Sequence, residues 1–355
     1  MADRAQAMLA ALPGGAQAAL LHNRTNIRYF SGYTGEGLAL IDALEHAIIT
    51  DFRYTEQAMR EAPAFAVHEI TPQAQHNAVA FARVQAAGVT TVAVEEDALT
   101  YADYKALCKA MPGVTFVSLE GVPESMRQIK DADEIELLAQ ANALTARGFD
   151  HICGFIRPGL TEKQIAIELW RWLLENGAES LAFDTIVASG PNGSLCHAIP
   201  GPRAVRQGDL ITLDFGAKVG GYCADMTRTL ALGKISDEQR RMYDTVRQAQ
   251  QLALDAAKPG AACRDVDAAA RVYIDAAGYA GRFGHGLGHA TGLDIHEDPR
   301  CNTTTQAILK PGMTMTIEPG VYIPDVGGVR IEDSVVITDT GCRILTPATK
   351  DLVVL

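Results

Sequence analysis

Short apolar runs alternate with helical stretches in the first part of the chain. The runs LAL, HAIIT, TTVAVE and VTFVSL, between Leu38 and Leu119, have the length of strands, and YTEQAMREA and YADYKALCKAM between them are helical in character. Strands that alternate with helices are typical of an α/β layer with its own core. Because Pro123 follows the last run, we expect a first domain over residues 1–122 and a second over residues 123–355.

Two helices are predicted at the start of the second domain. Residues suited to a buried face recur at helical spacing from Asp131 to Ile156. A second helix is predicted from Thr161 to Asn176, with Thr161 as its N-cap and Gly177 as its C-cap. A strand-like run from Phe183 to Ser189 follows, so this region predicts a helix-helix-strand unit.

Two strand-like runs flank the pair Gly220-Gly221, which is typical of a tight hairpin. If this pair forms the turn, Asp214 lies opposite Thr227 and diagonal to Asp225; a register slipped by two residues places Asp214 directly opposite Asp225. Both registers put the two carboxylates on one face, roughly 5 to 8 Å apart. Like charges this close repel unless a cation lies between them, so we interpret the pair as a metal site rather than as solvent-facing residues of an edge hairpin.

The second domain also contains an internal repeat. The segment RPGLTEKQIAIELWRWLLENGA resembles KPGAACRDVDAAARVYIDAAGY, and GDLITLDFG resembles GMTMTIEPG. The alignment places Glu318 on Asp214, and the run VRIE ending at Glu332 resembles YCAD ending at Asp225. We therefore predict two duplicated helix-helix-strand-hairpin units, related by a pseudo-two-fold axis, whose four carboxylates meet at one centre.

Four histidines lie in glycine-rich segments of the same domain, namely His197, His285, His289 and His296. Glycines beside His285 and His289 make a helical pair of ligands improbable, so these imidazoles are predicted on loops or strands. A single histidine is usually structural, but a cluster beside four carboxylates favours a role in the site.

Four carboxylates and an imidazole supply mainly hard oxygen donors with one nitrogen. They carry more negative charge than one divalent ion neutralises, which predicts two ions that share bridging carboxylates. Manganese suits such an oxygen-rich site best, and cobalt, zinc or iron is compatible with the imidazole. The predicted cofactor is therefore a pair of divalent metal ions, with manganese preferred.

Composition narrows the range of partners and compartments. With 31 Lys and Arg against 43 Asp and Glu, the net charge of −12 argues against a nucleic-acid partner. The seven cysteines are scattered singly without a C-x-x-C pair, which favours reduced thiols in a cytosol. No apolar run approaches the length of a membrane span. We expect a cytoplasmic protein that binds neither nucleic acid nor membrane.

The ordered set Asp214, Asp225, His289, Glu318 and Glu332, in the contexts HGLGH and EPGVY, resembles the pita-bread metallopeptidases. The segments NRTNIRYFSGYTGE and ITDFRYTEQA resemble the amino-terminal domain of the branch that contains creatinase, aminopeptidase P and prolidase. The resemblance covers nearly the whole chain. It implies a creatinase-like α/β domain followed by an α+β pita-bread catalytic domain with pseudo-two-fold internal duplication.

The resemblance also implies a role for each member of the five-residue set. Asp214 would bind one ion, His289 and Glu318 would bind the other, and Asp225 and Glu332 would bridge both. Glu318 would also carry a proton from the attacking water to the leaving amine.

Four further residues are implied in the site. His197, His285 and His296 match the histidines that hold the substrate carbonyl and stabilise the tetrahedral intermediate in the family. Arg330 lies two residues before Glu332, where it would orient that carboxylate or contact the substrate.

The activity implied is hydrolysis of the Xaa-Pro bond in dipeptides or short peptides. Aminopeptidase P activity on longer peptides, hydrolysis of a non-peptide C–N bond on the creatinase fold, and a metal-free interaction module are the alternatives. The intact donor set makes the last of these the weakest. The resemblance further implies a homodimer in which the neighbouring subunit's first domain, through the loop NRTNIRYFSGYTGE, approaches the catalytic mouth.

Overall fold

The computed structural model describes residues 2–355, which divide into two compact units. The first unit ends at Arg127 and the second begins at Gln128. None of the helices in this part of the chain combines the length and apolar character that crossing a membrane requires.

The boundary between the units lies after residue 127 rather than after residue 122. Pro123 stands in the first turn of a short helix, a position that tolerates proline, and does not end the domain. That helix is bonded to the first unit, because the Tyr29 hydroxyl donates to the Met126 carbonyl (3.2 Å) and the Asn26 amide donates to Glu124 Oε1 (2.7 Å).

The first unit is an α/β layer, as predicted. Its helices are α1 (Ala2–Ala10), α2 (Arg24–Ser31), α3 (Thr55–Glu61), α4 (His76–Ala86), α5 (Tyr101–Ala110) and α6 (Val122–Arg127). Its strands are β1 (Ala18–Leu21), β2 (Leu38–Asp42), β3 (His46–Thr50), β4 (Ala66–Glu69), β5 (Thr91–Val94) and β6 (Thr115–Ser118). They form one mixed sheet in the order β4-β3-β2-β1-β5-β6, in which β1, β5 and β6 run parallel.

The second unit has the α+β composition that the family resemblance implies. Its helices are α7 (Ala132–Phe155), α8 (Glu162–Glu175), α9 (Asp237–Ala256) and α10 (Cys263–Ile274). The strands of its first half are β7 (Ser180–Leu181), β8 (Ile186–Ser189), β9 (Leu210–Phe215), β10 (Ala217–Val219), β11 (Tyr222–Cys223) and β12 (Met226–Ala231). Those of its second half are β13 (Gly288–Ala290), β14 (Glu297–Cys301), β15 (Thr314–Ile317), β16 (Gly320–Ile323), β17 (Gly327–Arg330), β18 (Asp333–Ile337) and β19 (Cys342–Ile344).

Both helices predicted at the start of this unit are present. Helix α7 begins after the N-cap Asp131 with a capping box, and α8 begins after the N-cap Thr161 in the same way. The predicted C-cap of α8 was wrong by one residue, because Asn176 is the cap. Gly177 follows it in the left-handed region (φ 110°), the position where glycine most often ends a helix.

The hairpin register is the one set by the glycine turn. Lys218 pairs with Cys223 beside the turn, and further out Asp214 pairs with Thr227, so β9–β12 and β10–β11 keep one register. The slipped register, with Asp214 opposite Asp225, is wrong.

The predicted duplication is visible in the order of elements. In the first half, two helices precede the long ladder β9–β12, which encloses the hairpin β10–β11; in the second, two helices precede β15–β18, which encloses β16–β17. Each half has its own core, since Leu169 of α8 packs in one cluster with Leu213 of β9, and Val266 of α10 packs in another with Val335 of β18. The strand ends that carry acidic residues therefore rest on rigid supports.

Candidate metal centre and catalytic cleft

Each of the two long ladders ends in a pair of carboxylates. Asp214 is the last residue but one of β9 and Asp225 directly precedes β12, while Glu318 directly follows β15 and Glu332 directly precedes β18. In both halves the acids stand where the long ladder gives way to its inner hairpin. The duplication therefore delivers four carboxylates from equivalent places in the fold.

The structure brings the five predicted donors together. One carboxylate oxygen from each of Asp214, Asp225 and Glu332 lies within 4.8 Å of the others. The Nε2 atom of His289 is 3.6 Å from Asp225 Oδ2 and 3.4 Å from Glu318 Oε1. These five side chains form the donor cluster.

Burial sets the protonation of the donor cluster. It raises the pKa of Asp225 and Glu332 well above the usual range, and the neighbouring carboxylates add to the effect. Burial also raises the pKa of Glu318 to about 7, although Arg330 opposes the shift, and lowers the pKa of His289 to about 3. The imidazole is thus neutral and able to donate an electron pair, whereas the acids favour a proton or a cation.

Two oxygens of the donor cluster have no protein partner within the described residues. Asp214 Oδ1 and Glu332 Oε1 are both buried and accept no hydrogen bond from residues 2–355. An orphaned buried carboxylate oxygen is costly unless a cation or a proton satisfies it. Oxygen donors with a neutral imidazole suit a divalent ion, so the cluster fits one.

A hydrogen-bonded arginine holds the donor cluster from behind. Arg330 donates from Nη2 to Asp214 Oδ2 (2.6 Å) and from Nε to Thr227 Oγ1 (3.0 Å). Thr227 in turn donates to Glu332 Oε2 (2.7 Å). The arginine therefore contacts Asp214 directly and reaches Glu332, its expected partner, only through Thr227.

Tyr322 extends this network to His285. Its hydroxyl accepts from Arg330 Nη1 (2.9 Å) and lies 2.8 Å from His285 Nε2, and His285 Nδ1 lies 2.8 Å from the Gly286 carbonyl. The carbonyl can only accept, so we assign the proton to Nδ1 and let the tyrosine donate to Nε2. Burial lowers the pKa of His285 to about 4, so the ring is neutral. Both of its nitrogens have protein partners, which favours a supporting role.

His197 and His296 are exposed and line the cleft above the donor cluster. The ring of His296 meets that of His289 edge to face, with centroids 4.5 Å apart. Among the histidines predicted in the site, these two are therefore placed to meet a ligand.

The cleft has two arms that share His197, Asp214, His289, His296 and Glu318. The larger, of about 520 Å³, is termed the apolar arm and is lined mainly by Ala166, Trp170, Phe183, Ile186 and Ile199. The smaller, of about 300 Å³, is termed the cationic arm and is lined by Arg300, Asn302, Arg330 and His285. The two sides of a ligand bound at the donor cluster thus meet different chemistry.

Two functional candidates escaped the sequence reasoning. Tyr322 belongs to the quoted EPGVY motif, so a signal for it existed. Arg300 had no such signal, and only the structure shows that it lies opposite His289 in the β13–β14 ladder. It is exposed, and its guanidinium makes no hydrogen bond or ion pair within residues 2–355.

Comparison with known proteins gives matches over nearly the whole chain. Residues 136–339 match the model of metallopeptidase family M24, and residues 3–129 match the creatinase/prolidase N-terminal domain. A curated Xaa-Pro dipeptidase from Pyrococcus furiosus is 40% identical over 67% of this chain and 68% of its own length.

Two solved structures are similar over almost their full length. An Xaa-Pro dipeptidase from Bacillus anthracis superposes with a TM-score of 0.96 at 37% identity, covering 99% of both chains. An X-Pro aminopeptidase from Thermotoga maritima superposes with a TM-score of 0.94 at 36% identity, covering 99% of this chain and 100% of its own. Similarity of fold and sequence therefore does not separate the two substrate lengths.

Proposed function

The chain belongs to metallopeptidase family M24, and from that premise we propose that it is a metal-dependent Xaa-Pro dipeptidase. The observation that carries the proposal is the buried donor cluster at the floor of a cleft with one apolar and one cationic arm. Release of proline from Ala-Pro by the purified, metal-loaded protein tests it directly. Absence of proline release across several Xaa-Pro dipeptides would contradict it.

We propose that the donor cluster holds two divalent ions. Asp214 would bind one, His289 and Glu318 the other, and Asp225 and Glu332 would lie between them. Two orphaned oxygens on different residues, three clustered carboxylates and a fourth, Glu318, beside His289 support two ions rather than one, and the oxygen-rich set favours manganese. When bound, such ions polarise a carbonyl group and lower the pKa of water.

The protein's own residues then orient the reaction. Arg330, Thr227 and Tyr322 fix the inner carboxylates, because each is bonded to a donor or to its support. Thr316 donates to Glu318 Oε1 (2.8 Å), which holds that carboxylate toward the cleft. We propose that Glu318 accepts a proton from the attacking water and returns it to the leaving nitrogen.

The cationic arm supports a dipeptide rather than a longer peptide. Proline after the scissile bond lacks an N–H and has a fixed φ, so the enzyme cannot bind this residue through a backbone N–H. A dipeptide instead ends in a carboxylate within one residue of the bond. The unpaired guanidinium of Arg300 matches that charge, whereas four of the five N–H groups of Arg330 are already used by protein acceptors.

We predict that Ala-Pro is cleaved with a higher kcat/KM than Ala-Pro-Ala, and that Arg300→Met removes most of this preference. A charge-assisted hydrogen bond is worth about 1.5 to 3 kcal/mol, or roughly 10- to 100-fold in kcat/KM. Steady-state kinetics on both peptides measures the effect. Arg343→Met, which removes an exposed arginine outside the cleft, is the matched control. A wild-type preference for the tripeptide would make the protein an aminopeptidase instead.

The apolar arm supports a substrate whose first side chain is apolar. If the proline carboxylate lies in the cationic arm, the first side chain must lie on the opposite side of the donor cluster. That side is lined by Trp170, Phe183 and Ile186. We propose that the arm selects leucine-like or methionine-like first residues over glycine.

Leu-Pro is therefore predicted to exceed Gly-Pro in kcat/KM by about 10- to 100-fold, because each buried methylene contributes about 0.8 kcal/mol. Phe183→Ala should remove part of the apolar wall of the arm, reduce cleavage of Leu-Pro and spare Gly-Pro. Equal loss for both dipeptides in that variant would show that the arm does not receive the side chain.

We propose a homodimer in which the neighbouring subunit's segment from Asn23 to Glu36 approaches the cleft. The segment is well ordered for such a contact, since Asn23 caps α2 and the Glu95 carboxylate accepts the backbone N–H groups of His22 and Asn23. A particle of twice the chain mass in light scattering is the expected result. A fully active monomer would contradict it.

A cytoplasmic location is the remaining part of the proposal. None of the seven cysteines, all of which lie within residues 2–355, forms a disulfide, and they are scattered singly along the sequence. Reduced thiols of this kind are usual in a reducing compartment. Fractionation of cells that express the full protein would test the assignment, and recovery outside the cytoplasm would contradict it.

A further inference from the structure

Lys130 and Glu297 form a buried ion pair next to the segment that carries His296. Lys130 Nζ lies 3.0 Å from Glu297 Oε2, and the two side chains are only 1% and 7% exposed. A buried pair contributes little net stability, because the cost of removing both charges from water offsets their attraction. Its position beside the cleft therefore points to a role other than stability.

The lysine side of the pair is anchored to rigid structure. The Lys130 backbone N–H donates to the Gly312 carbonyl (2.9 Å), at the turn that precedes β15. The next residue, Asp131, is the N-cap of α7 and forms a capping box with Glu134. The backbone that carries the Lys130 ammonium group is therefore held in place within the second unit.

The glutamate side of the pair organises a turn. Glu297 is the first residue of β14 and follows His296 directly, and its Oε1 accepts the backbone N–H of Asp294 (3.2 Å). A Cβ atom at Gly292 would clash with the same oxygen, so glycine at this position leaves the space that the carboxylate occupies. The turn at residues 292–297 is therefore folded around the Glu297 carboxylate.

We propose that the Lys130–Glu297 pair positions His296 for the reaction. By fixing the turn, the pair holds the His296 imidazole edge-on to His289 at the rim of the donor cluster. Neither Lys130 nor Glu297 lines the cleft, so they act only through the turn. The inference rests on the proposed function and on the position of His296 in the cleft, where it is placed to meet a ligand.

A double-mutant cycle tests the proposal. Lys130→Met/Glu297→Gln removes both charges together, keeps side-chain volume, and leaves an oxygen for the Asp294 N–H. We expect kcat on Leu-Pro to fall about 10- to 100-fold, with a smaller change in KM and with metal content retained, as misplacement of a reacting group predicts. In a His296→Ala background the same pair of substitutions should cause no further loss of kcat.

Gly292→Ala gives an independent test, because it displaces the Glu297 carboxylate without removing a charge. Its backbone does not require glycine, since φ lies outside the left-handed region. Gly292→Ala should lower kcat in the same way, and it should cause no further loss of kcat in the His296→Ala background. Arg240→Met/Asp244→Asn, which removes an exposed ion pair on α9, is the control and should leave kcat unchanged.

Two results would overturn the proposal. One is an unchanged kcat in the doubly substituted variant, and the other is a loss that multiplies with that of His296→Ala. A wild-type protein that fails to release proline refutes the proposed function. If the wild-type protein releases proline but the loss of kcat in Lys130→Met/Glu297→Gln multiplies with that of His296→Ala, only this inference is refuted.

Discussion

Exhaustive removal of divalent ions is expected to reduce activity on Xaa-Pro dipeptides by at least about 10³-fold, and added manganese should restore it. The estimate follows from the several kcal/mol that a bound ion contributes to stabilising charge in a transition state. Elemental analysis of the active protein should give about two ions per chain. Asp225→Asn should reproduce the loss, whereas Asp184→Asn, which changes an exposed acid of the same cleft, should not. Full activity in a demetallated sample would refute the dinuclear site.

The stabilisation by metal should also depend on pH in a defined direction. Burial raises the pKa of Glu318 from 4.5 to about 7, and it raises those of Asp225 and Glu332 as well. An acid whose pKa is higher in the folded state stabilises the metal-free fold at low pH, and this contribution is lost as pH rises through the folded-state value. For Glu318 that window runs from 4.5 to about 7.

The difference in melting temperature between metal-loaded and chelated protein should therefore widen from pH 5 to pH 8. Cations replace protons on the same oxygens, so metal binding should release protons, which calorimetry in buffers of different ionisation enthalpy measures. A difference that does not change with pH would show that the buried acids are not the ligands.

Local rules of strand geometry were sufficient to place most of the candidate site. The turn at Gly220-Gly221 sets the ladder register, and that register puts Asp214 and Asp225 near each other without reference to the rest of the chain. The internal repeat then carries the same geometry to Glu318 and Glu332. The hairpin register depends on residues close in sequence, and the internal repeat transfers the same local arrangement to the second half. Both can therefore be predicted from a single sequence.

Contacts across breaks in the ladders were not predictable. Simple alternation pairs Arg330 with Glu332, but β17 ends at Arg330 and a new ladder begins after Glu332, so the arginine turns to Asp214 instead. Arg300 was missed because a bulge between His289 and Ala290 shifts the β13–β14 register. The position of a side chain on a face cannot be counted from the sequence once a bulge intervenes.

The domain boundary was misplaced for a similar reason. Pro123 is a turn signal in isolation, yet it also suits the first turn of a helix, and long-range bonds such as that from Tyr29 to Met126 show that the second interpretation is correct. That bond joins residues almost a whole domain apart in sequence. Elements and their repeats could thus be predicted, whereas long-range partners required the structure.

Glu318→Gln is expected to lower kcat by about 10² to 10⁴, the usual worth of a general acid and base. Glutamine keeps the size of the side chain and an oxygen for the Thr316 hydroxyl, so the fold and the orientation of residue 318 should be retained. It cannot exchange a proton between the attacking water and the leaving nitrogen. Steady-state kinetics on Leu-Pro, with melting temperature and metal content measured in parallel, separates the loss of proton transfer from a loss of metal.

Two further variants locate the origin of the loss. Glu318→Asp keeps an acid but withdraws it from the cleft by one methylene, so its kcat should fall between those of the wild type and Glu318→Gln. Thr316→Val removes the hydroxyl that bonds Glu318 Oε1 and accepts the His289 backbone N–H, and should cost less than Glu318→Gln because the acid itself remains. If Glu318→Gln kept kcat within about tenfold of wild type while retaining its metal, proton transfer by this residue would be refuted. Another base in the cleft, for which His197 and His296 are the candidates by position, would then have to carry the proton.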